Sequence, residues 1–99
     1  MTTEGEQANR WKASERDLRA ALAAIDPPPT AALQIEEYLD HNELGLAFAA
    51  LVEELDQRAS PANHETLIHL RSAVGRIGAS AIEADCVDAW ERVVERSTP

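Results

Sequence analysis

The chain has 99 residues, enough for one hydrophobic core and too few for two, so we expect a single domain. Its formal net charge of −9 argues against nucleic acid or an anionic membrane as the ligand. Hydrophobic residues make up 44% of the sequence, but 18 of them are Ala, and Ala- and Leu-rich segments with few β-branched residues favour helices.

The sequence carries no sign of export or of a membrane span. Its single cysteine, Cys86, cannot form an internal disulfide, so folding requires no oxidising compartment. The first residues lack the basic region and the apolar run of a signal peptide, and no apolar run approaches about 18 residues. We therefore expect a soluble, cytoplasmic protein.

The first ten residues are polar and predict a flexible N-terminus (1–10) before a helical-bundle domain (11–99). A first helix is indicated by apolar residues at helical spacing: Trp11, Leu18, Leu22 and Ile25. Ser14 and Asp17 form a possible capping box, and Glu15 and Arg19 a possible i,i+4 pair. The run Asp26-Pro27-Pro28-Pro29 predicts the end of this helix, because proline removes backbone donors.

Two helices are predicted in the middle of the chain. Thr30 is the expected cap of a short second helix with an inner stripe of Ala32, Ile35, Tyr38 and Leu39. His41-Asn42 interrupts the pattern, and Asp40 or Asn42 is a candidate cap for a third helix over residues 43–59. The third helix has one continuous apolar stripe: Leu44, Ala47, Phe48, Leu51, Val52 and Leu55.

Two further helices complete the prediction. Ser60-Pro61 indicates the start of a fourth, with Ser as cap and Pro at the first helical position, and Gly75 and Gly78 weaken its end. A fifth is expected over residues 80–97, with Cys86 and Trp90 on its apolar side. The sequence has no strand-like alternation. The predicted fold is therefore all-α, a compact bundle of four to five helices with short connections.

No pattern in the sequence indicates catalysis or a metal. His64 and His69 are five residues apart and point about 140° apart on a helix, whereas metal pairs use i,i+3 or i,i+4 spacing. A surface contact between Glu65 and His69 is the ordinary alternative. Cys86 lies on an apolar stripe, and Gly-rich phosphate loops and G-x-S-x-G elbows are missing. We expect no enzyme activity, no cofactor and no metal site.

The segment between Ala20 and Gln57 contains eight acidic residues and no Lys or Arg. The acids are Asp26, Glu36, Glu37, Asp40, Glu43, Glu53, Glu54 and Asp56. A concentration of one charge sign attracts a partner of the other sign and raises the association rate. The alternative is internal pairing with Lys12, Arg16 and Arg19 of the first helix, although three bases cannot neutralise eight acids.

Leu46 projects about 160° from the Phe48 stripe, on the side of Glu53. It either contacts a neighbouring helix or is an exposed anchor surrounded by acids, as in protein-binding hot spots. The candidate partner-binding residues are Glu36, Glu37, Tyr38, Asp40, Glu43, Leu46, Glu53, Glu54 and Asp56.

The segment from Glu37 to Ala47 (EYLDHNELGLA), followed by Leu51 and Leu55, resembles the signature of MafI-type immunity proteins. The resemblance covers about 20 residues, and the Ser60-Pro61 helix start fits the same layout. Where many such sequences have an acid after the Leu-Ala pair, this chain has Phe48 and Ala49. The resemblance implies a small helical bacterial protein that binds and inactivates the toxin domain of a polymorphic toxin encoded beside it.

The sequence therefore predicts a binding protein whose partner is a cognate toxin domain, often a basic nuclease in such systems. An acidic inhibitor can then occupy the sites that the toxin uses for phosphates. Two alternatives stay open: an acidic helical adaptor or regulatory module that binds a basic protein, and a homodimeric structural bundle. The chain itself is expected to be a monomer or a weak homodimer.

Overall fold

The computed structural model describes residues 3–58, 63–78 and 84–97, with side chains from residue 10 onward. The described part contains five helices and no strand, which confirms the predicted all-α bundle. The helices are α1 (Thr3–Ile25), α2 (Pro29–Asp40), α3 (Leu44–Arg58), α4 (His64–Ile77) and α5 (Ala84–Ser97).

Helix α3 is the centre of the bundle and packs against all four other helices. The six residues of its predicted apolar stripe are all buried. Phe48 is fully buried and meets Trp90 of α5 edge to face, with ring centroids 5.5 Å apart. The helical period of the sequence therefore identified the main core face correctly.

Helix α1 begins at Thr3, eight residues before the predicted start, so it extends into the segment predicted to be flexible. That flexibility stays a prediction. Because Ser14 and Asp17 lie inside the helix, the predicted capping box is wrong. Trp11, predicted to lie on the apolar stripe of α1, is 48% exposed and is not among the residues packed against the core.

The proline run ends α1 as predicted. Asp26 adopts a positive φ of 49°, and its backbone N–H donates to the Leu22 carbonyl. Helix α2 then starts at Pro29 with Pro28 in the cap position and no side-chain cap, so the prediction of Thr30 as cap is wrong. Proline suits the first helical position because that residue has no intrahelical acceptor for an N–H.

The connection between α2 and α3 is a Schellman motif. Asn42 has a φ of 61°, its N–H donates to the Leu39 carbonyl, and the N–H of Glu43 donates to the Tyr38 carbonyl at 2.8 Å. Asn tolerates the left-handed conformation better than most residues, which explains its place here. Asn42 therefore ends α2, whereas the sequence pattern made it a candidate cap for α3.

The boundaries of the last two helices differ from the prediction. Asn63 caps α4, and its side-chain oxygen accepts the N–H of Thr66 at 2.7 Å, so the described helix starts at His64. Gly78, at a φ of 92°, follows its last residue. Ser60-Pro61 and the first residues of the predicted fifth helix (80–83) lie outside the described residues.

Two arginines join distant parts of the bundle through backbone carbonyls. Arg58 at the end of α3 donates to the carbonyls of Ile25 and Asp26, at 2.6 and 3.2 Å. Arg96 of α5 donates to the carbonyl of Leu55 at 3.1 Å. These bonds fix the end of α3 between α1 and α5. In the part of the chain that the structure describes, no helix is long and apolar enough to cross a membrane.

Candidate protein-binding surface

The outer side of α2 is acidic and exposed. Glu36 and Glu37 are both exposed, and no described basic side chain forms an ion pair with either of them. Leu33 lies one turn earlier on the same side, and 67% of it is exposed, the largest exposed fraction among the described large hydrophobic residues. An apolar side chain is therefore presented to solvent next to two carboxylates without a salt bridge.

A second exposed group lies on α3 and on the residue just before it. Leu46 and Glu53 are exposed and, seven residues apart, lie on one face of α3, and the exposed Glu43 directly precedes the helix. Leu46 is 47% exposed, which decides for the solvent-facing alternative and against burial under a neighbouring helix. We call Leu33, Glu36, Glu37, Glu43, Leu46 and Glu53 the acidic face.

Two of the predicted site residues have ion-pair partners within the protein. Asp40, at the end of α2, accepts a bond from Arg19 of α1 at 3.0 Å and stays mostly exposed. Asp56 accepts from Arg92 at 2.9 Å and from Arg96 at 3.2 Å, both on α5. The hydrogen bond from Arg92, followed by that from Arg96, holds the pKa of Asp56 below its usual range despite some desolvation. Asp56 therefore has a clear structural role.

The remaining predicted residues are partly buried. Tyr38 packs against the core with part of its ring, and its hydroxyl accepts a hydrogen bond from Gln34 at 3.1 Å. Glu54 is half-buried on α3. Neither is as available to a partner as the exposed residues of the acidic face.

Internal pairing with α1 explains only a small part of the acidic stretch. Of the three basic residues proposed for this role, only Arg19 pairs with an acid of α2, and it also bonds Glu15 at 2.9 Å, the expected i,i+4 pair. Lys12 and Arg16 are exposed, and neither forms an ion pair with a described acid. The structure therefore leaves all four carboxylates of the acidic face without an ion pair to a described basic residue.

A polar cluster links α1 to α4. Asp17 accepts a bond from Nδ1 of His69 at 2.7 Å and another from Arg76. The Glu65–His69 contact suggested by the sequence is thus replaced by a contact between helices. Burial disfavours the ionised form of Asp17, but the bonds from His69 and Arg76 outweigh it and hold the pKa of this carboxyl below its ordinary value.

The structure also shows the positions of the cysteine and histidine residues that were candidates for catalysis or metal binding. Cys86 is buried in the packed side of α5, as predicted. His64 is exposed and His69 bonds Asp17, so the two histidines do not converge. Among the described residues, no group of three His, Cys, Asp or Glu side chains is arranged to hold a metal ion.

Two features of this surface were missed in the sequence. Leu33 is three and four residues before Glu36 and Glu37, so a helical projection of α2 places it on their side. The contacts of Asp56 with α5 join residues 36 and 40 positions apart, and no local pattern indicates them.

Comparison with known proteins gives no relative. No protein-family model matches the chain, and no curated protein or solved structure matches it either.

Proposed function

We propose that this protein is an immunity protein that binds and neutralises a cognate bacterial toxin domain through the acidic face. The observation that carries the proposal is the exposure of unpaired carboxylates around two exposed leucines, Leu33 and Leu46. Protein-binding hot spots combine a desolvated apolar anchor with a polar rim. The resemblance of residues 37–47 to MafI-type immunity proteins points to the same region.

The proposed partner is a basic protein domain, such as a nuclease. The chain carries a net charge of −9, and opposite charges on two proteins steer their encounter. Inhibition is stoichiometric and non-covalent, and it requires no enzyme activity in this chain. The proposal places the protein in the cytoplasm, as a monomer before it meets the toxin.

Co-expression tests the proposal directly. The toxin domain encoded next to this chain is expressed in a bacterial host, alone or with this protein, and growth is measured. We expect growth only with the protein, and a 1:1 complex in size-exclusion chromatography with light scattering. A variant with Leu33→Ala, Leu46→Ala, Glu36→Gln and Glu37→Gln should lose protection while melting at nearly the wild-type temperature.

Other outcomes favour other functions. A stable complex with a basic protein that does not restore growth would favour the adaptor module. A mass that doubles with concentration, without any toxin complex, would favour the homodimeric bundle.

A further inference from the structure

A cleft of about 330 Å³ lies between α3 and α5. Its floor is formed by small or apolar side chains, Ala49, Ala89 and the buried Cys86. This volume is near the lower limit of protein ligand pockets, which is about 300–1,000 Å³. It can admit one long side chain.

Each of the two helices that line the cleft carries a carboxylate. Glu53 of α3 and Asp85 of α5 both line it, and neither forms an ion pair with a described basic residue, although Glu53 accepts a hydrogen bond from Gln57 at 3.3 Å. Carboxylates on an open helix face are ordinary solvated charge, but these two line one cleft that also has apolar side chains. The cleft also contains Asp56 and Arg92, which pair at 2.9 Å, and Asp56 accepts a second bond from Arg96 at 3.2 Å, so this carboxylate is already neutralised within the protein.

We infer that this cleft receives an arginine side chain of the partner protein. The aliphatic stem would lie on Ala49 and Ala89, and the guanidinium would bond Glu53 and Asp85. Long cationic side chains bury their stems on apolar surface while the head reaches polar groups, and arginine is enriched at protein interfaces. Unpaired carboxylates make charge-assisted bonds to guanidinium. The inference rests on the proposed function, because it specifies how the partner is held.

Two observations favour an arginine side chain of a partner protein over a bare cation as the occupant of the cleft. The described acids are not arranged as a metal site, so a bare cation has no set of converging ligands. Glu53 belongs to the acidic face, so the cleft is continuous with the proposed binding surface. Leu46 lies about one helical turn before the lining residue Ala49 on α3, and in this proposal it packs against the residues that flank the arginine.

A titration with n-butylguanidinium, which has an apolar stem and the arginine head group, tests the inference without the toxin. We expect saturable shifts of the amide NMR signals of Ala49, Cys86 and Ala89 in the millimolar range. The variant Glu53→Gln/Asp85→Asn should bind roughly tenfold more weakly, the expected size for loss of charge-assisted bonds. Glu91→Gln/Glu95→Gln removes the same charge from exposed positions of α5 outside the cleft and is the matched control, with unchanged binding at the cleft.

A second pair of variants separates shape from charge. Ala89→Leu fills the cleft and keeps every carboxylate, whereas Ala84→Leu makes the same change at an exposed position of α5 outside it. We expect the first to abolish the saturable shifts and the second to preserve them, with circular dichroism spectra of both unchanged.

Shifts spread evenly over all exposed acids, or equal binding by the Glu53→Gln/Asp85→Asn variant, would overturn the inference. If either result were found together with intact protection from the toxin, the cleft inference would be wrong and the proposed immunity function would still be supported. Specific binding at the cleft without protection in the co-expression assay would support the cleft and refute the immunity function.

Discussion

Phe48 is the side chain on which the packing of α3 and α5 depends. It is fully buried and contacts Trp90 edge to face. We expect Phe48→Ala to lower the free energy of unfolding by roughly 3–5 kcal/mol, because the lost burial and the cavity both cost energy. Since small domains are stable by only about 5–15 kcal/mol, this variant should be close to unfolding.

Urea denaturation followed by circular dichroism measures this effect. Leu33→Ala, at the most exposed large hydrophobic residue, is the control and should change stability by less than about 0.5 kcal/mol. Equal losses for the two variants would show that Phe48 is not at the centre of the core.

The carboxylate of Asp17 makes the free energy of unfolding depend on pH. Its pKa is lowered in the folded state, so its contribution is complete above the unfolded pKa of about 3.9 and is lost as pH falls through the lower folded value. We expect Asp17→Asn to lower the free energy of unfolding by about 1–3 kcal/mol at pH 7, the usual range for hydrogen bonds to a charged group. The difference from wild type should shrink below pH 4.

Unfolding curves at pH 7 and pH 3 test this dependence. Glu91→Gln removes an exposed carboxylate that has no ion pair with a described residue. This control should leave the free energy of unfolding nearly unchanged at both pH values. A constant difference between Asp17→Asn and wild type at both pH values would contradict the role of the ionised carboxylate.

At the N-terminus of α4, Asn63 accepts the Thr66 N–H. We expect Asn63→Ala to lower the free energy of unfolding by about 1 kcal/mol, and Asn63→Asp to preserve stability because its carboxylate accepts the same bond. Thermal denaturation of the two variants and wild type makes the comparison. Equal melting temperatures for Asn63→Ala and Asn63→Asp would place the start of α4 elsewhere.

Helix positions were predictable where burial follows one period, whereas several helix starts and caps were not. The stripe from Leu44 to Leu55 repeats at helical spacing, so the sequence alone identifies the buried face of α3. Ser60-Pro61 and Asn63 are competing start signals three residues apart, and the sequence cannot rank them. Asn42 fits both a cap of α3 and the left-handed residue that closes α2, and only the backbone conformation decides between them.

Across the whole molecule, the charge of the candidate surface was predictable and its internal pairing was not. The absence of Lys and Arg between residues 20 and 57 is visible in the sequence. The packing of the helices decides which acids are paired. Asp56 is held by arginines of α5, whereas Glu36 and Glu37 have no ion-pair partner among the described residues. The residues that we expect to guide a partner are therefore fewer than the eight acids of the stretch.

The most direct test of the acidic face is the rate at which this protein associates with its proposed partner, a basic toxin domain. Stopped-flow fluorescence compares wild type with Glu36→Gln/Glu37→Gln/Glu43→Gln. We expect the variant to associate about tenfold more slowly at low salt, with an unchanged melting temperature. Raising the salt should slow wild type more than the variant, because the Debye length is only about 10 Å at 0.1 M.

The matched control is Asp88→Asn/Glu91→Gln/Glu95→Gln, which removes three exposed acids from α5 and should change the rate much less. Equal slowing by the two triple variants would indicate an effect of net charge alone. An association rate that neither the Glu36/Glu37/Glu43 variant nor salt changes would contradict binding through the acidic face.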